Sequence, residues 1–197
     1  PLEADTADAI YDHLVARLAE DAFRPRALYE RFGIEFLATT DAATDELKAH
    51  ARPRDSGWSG RVVPTFRPDD VVDPDRPDFH ANLDRLADLT SEDTTTWTGY
   101  LAALRARRQA FVAAGATASD HGHPTATTAD LPPGHAEALF ARARQGSPEP
   151  ADAELFRGQM LTEMAAMSLD DGLVLQLHAG SRRRHHPSLT DQFGPDQ

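Results

Sequence analysis

Cysteine is missing from all 197 residues. Its absence excludes disulfides and thiolate metal sites, and it fits a reducing cytoplasm as the expected compartment. No apolar run approaches the ~18 residues a membrane-spanning helix needs, and no secretory leader is found, so a membrane role is not expected. Positive charge is scarce, with 20 Lys and Arg against 32 Asp and Glu, a formal net charge of −12. A nucleic-acid binder would present a basic face. The one dense basic run, Arg182-Arg183-Arg184-His185-His186, is too short to line a groove, so nucleic acid is not an expected partner either.

What is present suits one globular domain: 40% of residues are hydrophobic and 26% charged, enough for a single sizeable core. An amphipathic helix, a glycine, a short apolar strand and a polar stretch follow one another repeatedly. Ile10, Leu14 and Leu18 share one face of a first helix, and Pro25 opens a second that Gly33 ends. Strands are predicted near 34–38, 61–66, 115–119 and 173–178. Thr44 is placed to cap a helix over 45–50. Longer helices are predicted over 77–89, 96–114, 134–144 and 152–168. In the 96–114 helix Tyr100, Leu101, Leu104, Phe111 and Val112 are spaced for burial, with Arg105, Arg107 and Arg108 mostly outward.

Strands separated by helices pair in parallel through crossovers, and ligands of such sheets bind at the carboxyl ends of the strands. Consecutive apolar residues imply strands buried on both faces, with Val62, Val63, Leu173, Val174 and Leu175 among the least exposed. Each predicted strand ends in groups fit for binding or catalysis: Asp41; Arg67; Asp120 with His121; His178 with Arg183. Loops are polar in any protein, and one such end would carry no weight. Their recurrence points to a site. A closed barrel needs about eight strands and ~250 residues, so the pattern is either an open sheet or about half a barrel.

At these strand ends the chain resembles the uronate isomerases of the amidohydrolase superfamily. The resemblance runs from about Thr6 to Asp196. It rests on Ala38-Thr39-Thr40-Asp41 with His50, and on Arg61-Val62-Val63-Pro64-Thr65-Phe66-Arg67-Pro68-Asp69. Gly115-Ala116-Thr117-Ala118-Ser119-Asp120-His121-Gly122 belongs to it as well. So do Gln176-Leu177-His178-Ala179-Gly180-Ser181-Arg182-Arg183 and Phe193-Gly194-Pro195-Asp196. No single motif is decisive; together, in order and at family-like spacing, they are strong.

The resemblance implies an α/β fold, a partial (β/α)8 TIM barrel contributing the second to fifth parallel strands with their covering helices. Residues 1–197 would be an internal segment of a single barrel domain. The family's His-x-His pair would lie before residue 1 and its eighth-strand Asp after residue 197. The implied activity interconverts D-glucuronate and D-fructuronate, and D-galacturonate and D-tagaturonate, through an enediol. A hexuronate is the implied partner, with self-association left open. A divalent metal such as zinc is the implied cofactor, its site incomplete in this segment. Two departures bear on substrate preference: Arg184-His185-His186 replaces an Asn run, and His123 stands where the family has an apolar residue.

On the same resemblance Asp120 and His178 are the catalytic candidates, and His178 is also the candidate metal ligand. Arg67, Arg183 and His121 are the substrate-binding candidates. The chemistry agrees with the residue types, because an arginine fork accepts both oxygens of a carboxylate. Each position has a plainer reading beside it. Arg67 would pair with Asp69 or Asp70, Arg183 would belong to a solvated basic face, Asp120 would cap a turn, and His178 would be a satisfied polar group. His121-Gly122-His123 imitates a metal signature, since alternate residues of a strand share a face; His123 is read as incidental. Adjacent His185-His186 has poor geometry for a shared metal. Trp58, Trp97, Met160, Met164 and Met167 are read as packing. Two alternatives stand beside the isomerase: a metal-dependent hydrolase of the same superfamily, and an inactive sugar-acid-binding or structural fragment.

Overall fold

Strands too short to be helices, each followed by one or more helices, make the chain alternate between strand and helix. The computed structural model describes residues 1–146, 148–180 and 185–194. Helices α1 (Ala7–Leu18) and α2 (Pro25–Arg31) precede β1 (Leu37–Ala42), and α3 (Lys48–Asp55) leads to β2 (Val62–Arg67). Then α4 (Asp69–Val72), α5 (Phe79–Thr90) and α6 (Trp97–Ala113) lead to β3 (Ala118–His121). Helices α7 (Pro133–Gln145) and α8 (Pro150–Asp171) return the chain to β4 (Val174–Leu177), and α9 (Pro187–Phe193) follows. Thr96 caps α6 by accepting from the Gly99 N–H at 3.1 Å, and Gly172, at φ 77°, ends α8 in the left-handed conformation that glycine adopts without strain.

The four strands form one sheet in the order β1-β2-β3-β4, every pair parallel. This is the predicted order, and it is that of consecutive strands of a parallel barrel. Phe66 pairs with Ser119, and Ser119 with Leu175. Side chains alternate along a strand, so these three share one face and Arg67, Asp120 and Gln176 share the other. Helices cover the first face: Phe66 is fully buried and meets Phe111 of α6 edge-on at 5.1 Å.

The core lies between that face and the helices. Tyr100 of α6 stacks on Phe140 of α7 at 4.6 Å, with Phe156 of α8 and Phe79 of α5 packed around them. All four rings are essentially unexposed, and each buried Phe contributes about 2 kcal/mol. Tyr100 loses its water contacts but donates its hydroxyl to the Val71 carbonyl at 2.8 Å. Burial raises its pKa well above the ordinary value, which keeps it a neutral donor. Met160, Met164 and Met167 fill this core as packing residues.

Several local expectations give way to tertiary contacts. The first strand is 37–42 rather than 34–38, and the third is 118–121 rather than 115–119, because strand limits follow the neighbour's register. Thr44 caps nothing. Its hydroxyl donates to Asp70 at 2.6 Å, and helix α3 starts later, at Lys48. Burial on both faces holds for Val63 and Leu173, is only partial for Val62 and Leu175, and fails for Val174, which is 64% exposed. Val174 pairs with Ala118 on the Arg67 face, where Ala38, Thr40 and Ala42 are exposed too. Leu14 and Leu18 of α1 are also exposed, and Val112 is 40% exposed.

The largest correction concerns α6. Arg107 and Arg108 point inward, not outward; only Arg105 is exposed. Arg107 donates to the carbonyls of Ala43 at 2.9 Å and Asp45 at 2.6 Å, closing the turn after β1. Arg108, 1% exposed, grips Asp171 with both arms at 2.5 and 2.9 Å and reaches Ser168 at 2.9 Å. Burial alone would raise the Asp171 carboxyl, but Arg108 and the Leu173 N–H outweigh it and hold it below its ordinary value. The pair pins α6 to the end of α8, where β4 begins. Asp171→Ala leaves the guanidinium buried and unpaired, so urea denaturation followed by circular dichroism should show a loss of about 3 kcal/mol. The double variant Arg108→Met/Asp171→Ala should lose less, since no charge is then stranded.

Candidate active site at the carboxyl ends of the strands

Strand alternation assembles the site. Arg67 is the last residue of β2, Asp120 lies within β3, and both occupy the face away from Phe66 and Ser119. His178 follows β4, and its N–H extends the ladder to the His121 carbonyl at 3.1 Å. It therefore falls on the same face as Gln176 and beside Asp120.

The contacts are direct. His178 Nδ1 is 2.7 Å from Asp120 Oδ1, and Arg67 Nη1 is 3.6 Å from Asp120 Oδ2. Arg67 Nη2 is 3.4 Å from His178 Nε2. A carboxylate only accepts and a guanidinium only donates. Both contacts are satisfied when Nδ1 carries the proton and Nε2 offers its lone pair. The cluster is an acid–imidazole pair with a cation beside its basic nitrogen, and His178 is the open member, its side chain 48% exposed.

Arg67 also bonds Asp69, Nε to Oδ2 at 2.7 Å. The plainer reading of Arg67 and the site reading thus hold together: one guanidinium serves Asp69 on one edge and faces Asp120 and His178 on the other. Two carboxylates around one cation leave the described cluster with an excess negative charge. Sequence reasoning saw Asp69 only as a rival explanation of Arg67. Its place in the cluster, and that of Gly122 against it, depend on a contact between β2 and β3 that no local pattern carries.

The other candidates lie elsewhere. His121 is on the Phe66 face with 0% exposure, its Nε2 3.1 Å from the Ser119 hydroxyl, so its ring is enclosed rather than presented to a ligand. Burial, with smaller help from neighbouring His123, pulls its pKa down to about 3. His123 is buried as well, its ring 5.7 Å from that of His121. Asp41 pairs in register with Phe66 and turns to the same face, 3.5 Å from the buried His50. Arg183 lies outside the described residues.

Could these residues hold a metal? Among the described residues no group of three or more His, Asp or Glu side chains is arranged to do so. His178 offers one nitrogen, and that nitrogen faces the Arg67 guanidinium. A dication there would meet a fixed positive charge, so the described residues do not fit one. No helix among them is long and apolar enough to cross a membrane.

Known proteins share this architecture. The family model described as glucuronate isomerase matches residues 1–197. A uronate isomerase of Rhizorhabdus wittichii is 58% identical over 196 residues, covering 100% of this chain and 42% of that protein. One from Mesorhizobium japonicum is 57% identical over 197 residues, again covering 42% of the relative. The chain therefore spans about two fifths of the length of the curated relatives it matches. The crystal structure of glucuronate isomerase from Caulobacter crescentus superposes with a TM-score of 0.94 at 53% identity, covering 100% of this chain and 41% of that one. A uronate isomerase structure from Thermotoga maritima gives 0.89 at 26% identity, covering 99% and 43%.

The enclosed imidazole behind the site makes stability depend on pH. Above about 6.5, His121 is neutral both folded and unfolded; below that, the unfolded chain binds a proton that the folded ring refuses until about pH 3. Stability present above pH 6.5 is therefore lost as the pH falls. From pH 6.5 to 5 the loss from this one group is about 2 kcal/mol. His123 is shifted in the same direction, also by burial. Unfolding midpoints measured at pH 7 and pH 5 should separate clearly for the wild type, and His121→Gln should narrow the gap.

Proposed function

Because this chain belongs to the glucuronate isomerase family, we propose that it supplies the second to fifth strands of a single TIM-barrel domain whose enzyme interconverts D-glucuronate and D-fructuronate, and D-galacturonate and D-tagaturonate. The observation that carries the reading is the convergence of Arg67, Asp120 and His178 at the carboxyl ends of three consecutive parallel strands. That is where ligands of parallel α/β sheets bind.

The isomerisation moves a proton between adjacent carbons and places charge on the enediol oxygens as it does so. His178 Nε2 is the base that takes the proton from the carbon beside the carbonyl and returns one to the neighbouring carbon. Asp120, bonded to Nδ1, fixes the tautomer that makes Nε2 basic and stabilises the imidazolium while it exists. Arg67 stabilises the developing oxyanion. Its charge is already opposed by Asp69 and Asp120, so holding the substrate carboxylate needs a further cation. We assign that to Arg183, whose fork can take both carboxylate oxygens. His121 is assigned to the wall behind the site, in keeping with its enclosed ring. The absence of cysteine agrees with a cytoplasmic enzyme.

A coupled assay on a full-length protein carrying this segment tests the reading. It should convert glucuronate to fructuronate, and Arg67→Ala should lower kcat/KM about 10²- to 10³-fold, the loss typical of removing one transition-state donor. The unfolding midpoint should change little. A wild-type protein that converts neither hexuronate would sink the proposal.

A further inference from the structure

Asp69 and Gly122 both stand against Arg67 and against each other. Asp69 is the first residue of α4, directly beyond the end of β2, and its Oδ2 holds Arg67 Nε at 2.7 Å. Its carboxylate also receives the Gly122 N–H, at 3.1 Å to Oδ1 and 3.2 Å to Oδ2. One side chain thus ties the arginine on β2 to the turn after β3. Gly122 is not in the left-handed region, so its backbone does not demand glycine. Space does. A Cβ there would overlap Arg67 Nη2 and stand 2.7 Å from Asp69 Oδ2 and 3.1 Å from His178 Nε2. The bare glycine leaves the volume that the guanidinium fills on its way to His178.

We infer that Asp69 and Gly122 form a positioning device for Arg67: Asp69 clamps the guanidinium by Nε, and Gly122 anchors that clamp and leaves room for the far edge to reach Asp120 and His178. The inference rests on the isomerase reading and extends it to residues that touch no substrate. An arginine side chain has several rotatable bonds and loses ~2 kcal/mol of rotamer freedom when fixed. Unclamped, Arg67 would collapse onto Asp120 or turn to solvent. Either motion withdraws a donor from the reacting oxygen while leaving the fold intact.

Two substitutions attack the device at different atoms. Asp69→Asn keeps the shape and one accepting oxygen but removes the charge and the second acceptor. Gly122→Ala keeps every charge and displaces the guanidinium together with the Asp69 carboxylate oxygen beside it. In the full-length enzyme each should lower kcat for glucuronate at least tenfold, with unfolding midpoints close to wild type. Calorimetric affinity for D-glucuronate should weaken by a smaller factor than kcat, because Arg67 serves the developing oxyanion more than the bound sugar. A kcat unchanged in either folded variant would overturn the inference. So would a drop in unfolding midpoint with kinetics intact, since that marks a purely structural role. If the wild type binds glucuronate but does not turn it over, and both variants bind it more weakly, the device stands and the isomerase reading falls. Normal turnover in all three proteins has the reverse meaning.

Discussion

The in-register pairing of β2 with β3 and of β3 with β4 decides which side chains of this protein can meet. Parallel partners share a face, so the pairings of Phe66 with Ser119 and of Ala118 with Val174 fix two populations. One faces the helices and is apolar or enclosed, as Phe66, Ser119 and His121 are. The other carries Arg67, Asp120 and His178. A slip of one residue between β2 and β3 would put Arg67 and Asp120 on opposite faces, and one between β3 and β4 would turn His178 away from Asp120. The site is therefore as secure as the register, and the register is as secure as the core that accepts Phe66.

That core includes charge. Arg108 and Arg157 are almost wholly enclosed, and each is matched by carboxylates. Arg157 of α8 draws in Asp73 at 2.8 Å, Asp75 at 2.7 Å and Glu154 at 3.1 Å, which fastens the segment after α4 to α8. A buried ion pair adds little net stability over apolar packing, but it fails badly when half of it is removed. These arginines accordingly act as locators. They specify where α8 lies relative to α4 and α6, and hence where β4 and His178 begin.

The site follows the same economy. Arg67 is shared among Asp69, Asp120 and His178, and Asp69 is shared between Arg67 and the Gly122 N–H. Every member constrains another, so the imidazole tautomer, the direction of the guanidinium and the turn after β3 form one connected state. Preorganisation of this sort is what a proton transfer beside a developing negative charge needs, because donors already aimed at the oxygen need not reorganise during the reaction.

Much of this was legible in the residues. Alternating apolar runs and helical periods, with Gly115 and Gly172 at the breaks, dictate parallel strands in order, and local backbone preference suffices for that. The chemical identity of the strand ends is likewise in the sequence: Arg67, Asp120 and His178 are there to be read, as is the resemblance that joins them. Other features depend on distance in space. Whether Arg108 turns inward is set by Asp171, more than sixty residues away, and helical periodicity cannot see it. Whether His121 touches a ligand or is enclosed is set by a one-residue parity fixed by β2. The exposure of Val174 depends on which face of the sheet the helices cover. The union of Asp69 and Gly122 with the site exists only once β2 and β3 lie side by side. Sequence determined the elements and the reagents; register and burial, which are sums over many remote contacts, decided which of them meet.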